Sequence, residues 1–213
     1  MSNNLSYPPI GGDRGSIAII KYNAGNVQSV QYALDRLGVS SIVTDDEAVI
    51  RNADKVIFPG VGHASSAMQN VREKGLDKLI TSLEQPVLGI CVGMQLMCKH
   101  SEEGDTIGMG IFDTEIKLFK SEKLKVPQMG WNLIYDFKSA LFNGLKPEEY
   151  IYNVHSYYAE LNIDTAATCN YVQPYSAALQ KDNFYAVQFH PEKSGKAGEQ
   201  ILKNFLALNG KRE

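Results

Sequence analysis

Cysteine is scarce in this chain. Cys91, Cys98 and Cys169 are the three present in 213 residues, an odd count with no CxxC spacing. A disulfide framework is therefore disfavoured, and a reducing, cytoplasmic setting favoured. Metal-ligand spacing is missing as well. The four histidines (His63, His100, His155 and His190) and the cysteines form no standard set, so neither a metal nor a cofactor is expected. An excess of one charge is also absent. Lys and Arg number 21 against 24 Asp and Glu, a net charge of −3, and no basic stripe appears, which argues against nucleic acid as a partner. No apolar run approaches the roughly 18 residues that suggest a membrane span. The opening MSNNLSYPPIGGDRG lacks the apolar stretch of a signal peptide and reads as a Pro/Gly-rich tail over residues 1–15. Repeats, low-complexity tracts and a clean linker are lacking too, so residues 16–213 are expected to form one domain. With 44% hydrophobic residues, a chain of this length can bury a sizeable core unaided.

What is present has a clear order. The first half alternates short apolar runs with helical periodicity. Ile17–Ile20 reads as a strand and Asn23–Asn26 as a turn. Val27, Val30, Leu34 and Leu37 then recur at helical spacing, with Gly38 as a stop. Residues 40–43 read as a strand, 45–52 as a short helix, and 55–58 as a third strand followed by Pro59-Gly60-Val61-Gly62 and another helix. Val87–Ile90 is a fourth strand, followed by a helix to about Lys99. Near-continuous apolar strands alternating with helices predict a parallel sheet covered on both faces. Sites in such sheets lie beyond the strands' carboxyl ends. From 113 to 189 the pattern changes to short strands, an antiparallel or mixed extension, before a closing helix over about 196–208.

The stretch PVLGICVGMQLMC, residues 86–98, sets the chemical question. Cys91 ends an apolar run, and a helical segment begins at once. Taken alone, it fits a small buried hydrophobe or a nucleophile on a strand-to-helix turn. In the second role, the positive end of the helix dipole and a neighbouring imidazolium would stabilise its thiolate.

Val187-Gln188-Phe189-His190-Pro191-Glu192 supplies a base and a carboxylate. Pro191 biases His190 toward extended backbone. If extension persists through the proline, His190 and Glu192 lie on one side, fit to act as base and orienter. A solvated surface turn fits this segment equally. Glycines in Pro59-Gly60-Val61-Gly62 permit close backbone approach. That loop and Val92 could aim N–H groups at an oxyanion, although an ordinary turn between strand and helix would look the same. Gln95, four residues after Cys91, shares its helix face and could reach a ligand above it.

Together, GICVGMQ and, about a hundred residues further on, FHPE resemble the class I (triad) glutamine amidotransferases. AIIKYNAGN, FPGVGHA, VPQMGWN, NVHSYY and VQFHPEKSG resemble, within that family, the glutaminase subunits of imidazole glycerol phosphate synthases, and they cover about 17–208. The resemblance implies a flavodoxin-like α/β fold, mostly parallel with antiparallel extensions. It implies hydrolysis of glutamine to glutamate and ammonia by Cys91 as nucleophile, His190 as general acid/base and Glu192 as orienter. Gly60, Val61, Gly62 and Val92 would form the oxyanion hole, and Gln95, His155, Ser156 and Tyr157 would hold the glutamine. A separate (β/α)8-barrel cyclase subunit would receive the ammonia, meeting this chain near Asn26, Met129, Trp131, Tyr152 and Lys193. Lys21 stands where the family often has an acidic residue, and Gln128 where it often has a histidine. The competing expectations are a glutaminase serving another amidotransferase, a binding protein with a vestigial triad, and a cysteine peptidase on a similar sheet.

Overall fold

The computed structural model describes residues 16–22 and 26–209, so the tail over 1–15 and residues 23–25 of the expected turn lie outside it. Four strand–helix units come first. β1 (Ile17–Ile20) leads to α1 (Val27–Arg36), and β2 (Ser41–Thr44) to α2 (Glu47–Asn52). β3 (Lys55–Gly60) leads to α3 (Ala64–Glu73) and α4 (Leu76–Thr81), and β4 (Val87–Cys91) to α5 (Val92–Met97). Short strands follow: β5 (Cys98–Ser101), β6 (Thr106–Ile107), β7 (Phe112–Leu118), β8 (Gln128–Tyr135), β9 (Glu149–His155) and β10 (Tyr157–Ala159). β11 (Thr165–Asn170), β12 (Pro174–Lys181) and β13 (Phe184–Val187) complete them, and α6 (Gly195–Ala207) closes the chain.

The sheet runs β2-β1-β3-β4-β13-β12-β10-β7-β5-β6, with β11, β8 and β9 branching from β12. The five strands from β2 to β13 are mutually parallel. From β13 onward the pairing is antiparallel except between β5 and β7. β1, β3 and β4 are buried at every residue, as expected for strands covered on both faces. This is the flavodoxin-like sheet with antiparallel extensions expected from the sequence.

Three boundaries beside the site differ from the sequence expectation. α5 stops at Met97 rather than near Lys99. The backbone N–H groups of Met109, Ile111, Gly110 and Gly108 donate to the carbonyls of Leu96, Met97, Cys98 and Lys99, drawing the chain into β5. β3 continues to Gly60, where it stays in register with Cys91 of β4. β13 ends at Val187, and residues 191–193 form a 3₁₀ turn instead of an extended segment. Ser194 fixes that turn: its Oγ donates to the His190 carbonyl at 2.6 Å and accepts from Tyr152 N at 2.9 Å.

Candidate active site

The sheet brings the ends of β3, β4 and β13 side by side, because β4 pairs with both of the others. Cys91 is the last residue of β4 and caps α5. Its φ of 55° and ψ of −113° are sparsely populated for a residue with a Cβ and cost on the order of 1–3 kcal/mol. The turn holds because its surroundings leave no alternative. Gly93 packs so tightly on β3 that a Cβ there would lie 2.0 Å from the Phe58 carbonyl oxygen. Gly60 is equally confined: a Cβ would meet Gly93 N at 2.4 Å and the Tyr22 hydroxyl at 2.7 Å. Both positions therefore require glycine for space.

His190 and Glu192 meet across the 3₁₀ turn. His190 Nδ1 lies 2.8 Å from Glu192 Oε1, with the two side chains only 5% and 1% exposed. The expected pairing thus exists, but a tight turn produces it rather than an extended Pro191. Burial pushes the His190 imidazole down. Hydrogen bonds with Cys91 and Glu192, and then their charges, outweigh burial and raise it to about 10. The second carboxylate oxygen, Glu192 Oε2, is buried without a partner.

Cys91, Val92, Gln95, His155, Ser156, Tyr157 and His190 line one cavity of about 310 Å³, together with Val61, Gly62 and Lys193. Gly60 does not reach its surface. It stands one residue back, opposite Cys91. Val92 is the first residue of α5, so its N–H has no acceptor within the helix. Gln95 Nε2 donates to the Tyr157 carbonyl at 3.2 Å and to Gln188 Oε1 at 3.0 Å. Both amide hydrogens are thereby committed, and only the carbonyl oxygen is left for a ligand, which suits an ammonium and not a carboxylate.

His155 lines the cavity with its ring nitrogens occupied. Nδ1 is 2.8 Å from the Tyr157 carbonyl, which can only accept, so Nδ1 carries the proton. Nε2 then accepts from the Tyr175 hydroxyl at 3.2 Å, and that hydroxyl oxygen also lies 3.1 Å from the Gln128 carboxamide. Burial lowers the His155 imidazole to about 4; the Tyr157 bond offsets this in part, and the His190 charge adds to it. His155 is thus a neutral brace, held by Tyr157 and Tyr175, and it lines the cavity together with Ser156 and Tyr157. Gln128 belongs to that brace.

Sequence reasoning missed several residues here. Glu103, Pro127 and Val154 also line the cavity, and Glu103 Oε2 accepts from Ala64 N at 2.7 Å, fixing the start of α3. Tyr22 is fully buried and donates to the Pro59 carbonyl at 2.8 Å, pinning the peptide that leads into the glycine loop. Burial raises its phenol, and the Cys91 charge adds to this. Gln188 contacts Cys91 itself; its position two residues before His190 was the available signal. Cys98 and Cys169 are buried and free, and burial pushes both thiols up.

The expected interface residues divide. Met129 and Trp131 on β8 are 67% and 56% exposed, and the Trp131 ring lies 5.9 Å from that of its register partner Tyr152. Lys193 is exposed at the cavity rim. Asn26 caps α1, its side chain accepting from Ser29 N at 3.4 Å. Among the described residues no group of three His, Cys, Asp or Glu could hold a metal ion, and no helix is long and apolar enough to cross a membrane.

A strained cysteine on a strand-to-helix turn, backed by a histidine and a carboxylate, at the carboxyl edge of a flavodoxin-like sheet, defines a class of thiol hydrolase. Residues 18–208 match the family described as glutamine amidotransferase class-I. The chain belongs to that family. It is 59% identical over 194 residues to imidazole glycerol phosphate synthase subunit HisH of Bacteroides fragilis, covering 90% of this chain and 99% of that one. To the protein of the same name from Escherichia coli K12 it is 46% identical over 195 residues, covering 91% and 100%. The fold is shared with a putative GMP synthase protein from Thermoplasma acidophilum, at a TM-score of 0.68 and 21% identity, covering 90% of this chain and 92% of that one. It is also shared with PurLQS from Thermotoga maritima, at 0.64 and 16%, covering 90% and 97%.

Proposed function

We propose that this chain is the glutaminase subunit of an imidazole glycerol phosphate synthase, a cytoplasmic enzyme whose partner is a (β/α)8-barrel cyclase, with residues 16–213 acting as one domain. The observation that carries this reading is the Cys91–His190–Glu192 set on one cavity, with His190 Nδ1 2.8 Å from Glu192. His190 takes the proton of Cys91, and the sulfur attacks the carboxamide carbon of glutamine. The N–H of Val92 and those of the Val61–Gly62 loop donate to the oxyanion. Gln95 Oε1 accepts from the substrate's ammonium group. The proton on His190 passes to the leaving nitrogen, ammonia departs, and a glutamyl thioester remains. His190 then draws a proton from water, which cleaves the thioester to glutamate and returns the thiol. Ammonia passes to the cyclase, which docks on the face carrying Met129 and Trp131. Gly62, at a φ of 94°, lets the loop pivot, so that cyclase ligands can set its donors.

The test measures glutamine hydrolysis by the chain alone, with its cyclase, and with cyclase plus acceptor nucleotide. Cys91→Ala should abolish turnover in all three. Glu192→Gln should retain more than Cys91→Ala, because its amide oxygen can still accept from Nδ1 while only charge is lost. Near-wild-type turnover in Cys91→Ala would end the reading, and equal rates across the three conditions would end the gating.

A further inference from the structure

Gln188 has no exposed surface, and its side chain lies between two groups of the site. One is Gln95, whose Nε2 is 3.0 Å from Gln188 Oε1; the other is Cys91, whose Sγ is 3.9 Å from Gln188 Nε2. The direction of this chain of bonds follows from its far end. The Tyr157 carbonyl can only accept, so Gln95 must turn its nitrogen toward it. The second hydrogen of that same nitrogen then points at Gln188, which must answer with its oxygen. Gln188 is left with its N–H groups facing the sulfur.

On its other side, Cys91 Sγ lies 3.9 Å from the Val154 carbonyl oxygen. That contact favours the thiol, since only an S–H can donate to it. Gln188 has the opposite preference, since its N–H is better matched to a sulfur carrying charge. We infer that Gln188 is a catalytic residue: its carboxamide N–H donates to the Cys91 sulfur, stabilises negative charge as it develops there, and turns the sulfur toward the cavity and away from Val154. The same bonds tie the nucleophile to Gln95 Oε1. A cation bound there polarises Gln95, then Gln188, and strengthens the bond at sulfur. Occupancy of the substrate site is thereby reported to the nucleophile before bond formation begins.

This inference rests on Cys91 as the nucleophile of glutamine hydrolysis. Its test uses the complex with the cyclase and two variants. Gln188→Glu keeps an oxygen for Gln95 and replaces the donor with a second acceptor. Gln188→Met keeps the volume and removes both groups. Alkylation of Cys91 by iodoacetamide at pH 7 is timed for each, alongside kcat and KM for glutamine and the melting temperature. We expect alkylation and kcat to fall about tenfold or more in both variants, in line with loss of a charge-assisted hydrogen bond. KM should stay within about twofold in Gln188→Glu, which preserves the Gln95 contact. Alkylation rates at the wild-type level in both folded variants would overturn the inference. So would a rise in KM with kcat unchanged, which would mean that Gln188 merely braces Gln95. A wild-type complex that does not hydrolyse glutamine would remove the functional reading, while the alkylation rates would still report on the Gln188–Cys91 contact.

Discussion

Replacing Gly93 by alanine would put a methyl group where the structure has room for none. The new Cβ would lie 2.0 Å from the Phe58 carbonyl oxygen and 3.0 Å from its carbon. Ordinary carbon–oxygen contact begins near 3.4 Å, so β3 and α5 must part by more than 1 Å, up to about 1.4 Å. β3 is bonded to β1 on one side and to β4 on the other, so α5 is the element that moves. Its first turn carries Val92, and Cys91 caps it. Overpacking of this kind costs about 1–3 kcal/mol. In a chain of this size, that lowers the melting temperature by roughly 4–8 °C at the middle of the range. A displacement of about 1 Å at reacting groups costs roughly 100-fold in rate. The assay is glutamine hydrolysis in the cyclase complex, with melting followed by circular dichroism. We expect kcat near 1% of wild type and KM within a few-fold, because the oxyanion donors act mainly in the transition state. A folded Gly93→Ala complex with wild-type kcat would refute the claim that this contact sets the turn at Cys91.

Two further predictions concern pH and association. His155 is held near 4 when folded against an ordinary 6.5, so the unfolded chain binds more protons between those values and stability rises with pH across that window. His190 is raised to about 10 against 6.5, so its contribution is fully present below 6.5 and is lost as pH climbs toward 10. Melting temperature should therefore peak near pH 6.5. His155→Gln should flatten the acid limb, and Cys91→Ala should flatten the alkaline one at least as much as Glu192→Gln does; a limb unchanged in its variants would sink that assignment. Trp131→Asp should abolish co-elution with the cyclase while the melting temperature of the free chain stays within about 2 °C, since the ring is 56% exposed. Retained co-elution would move the interface elsewhere.

The parallel half of the sheet was legible because its strands are apolar at consecutive positions and each helix repeats at its own period. The β4–α5 turn was legible for a simpler reason: Gly93 directly follows the Cys91-Val92 junction. The early end of α5 was not, because it depends on residues 108–111 taking its last carbonyls, a tertiary choice that helix periodicity does not encode. The histidines show the same limit. His190 and Glu192 were found as a pair, yet the 3₁₀ turn that joins them contradicts the extended backbone used to argue for it. The resemblance placed the His155–Tyr157 segment at the substrate and the fold sets it on the cavity wall, but the contacts of both His155 nitrogens with Tyr157 and Tyr175 are tertiary and were not legible. Gln188 escaped notice although it stands two residues before His190, because that spacing alone does not separate a glutamine that bonds a sulfur from one that does not.

The position of β13 has a consequence for how the chain acquires its reactivity. The last strand among the described residues enters the middle of the sheet, between β4 and β12, and delivers His190 and Glu192 beside Cys91. A nascent chain that has emitted β4 but not β13 carries Cys91 without His190 or Glu192 beside it. Completing the sheet and arming the cysteine are one event. A copy that lacks the β4–β13 pairing does not bring Cys91, His190 and Glu192 together, and among the described strands that pairing spans the longest stretch of sequence.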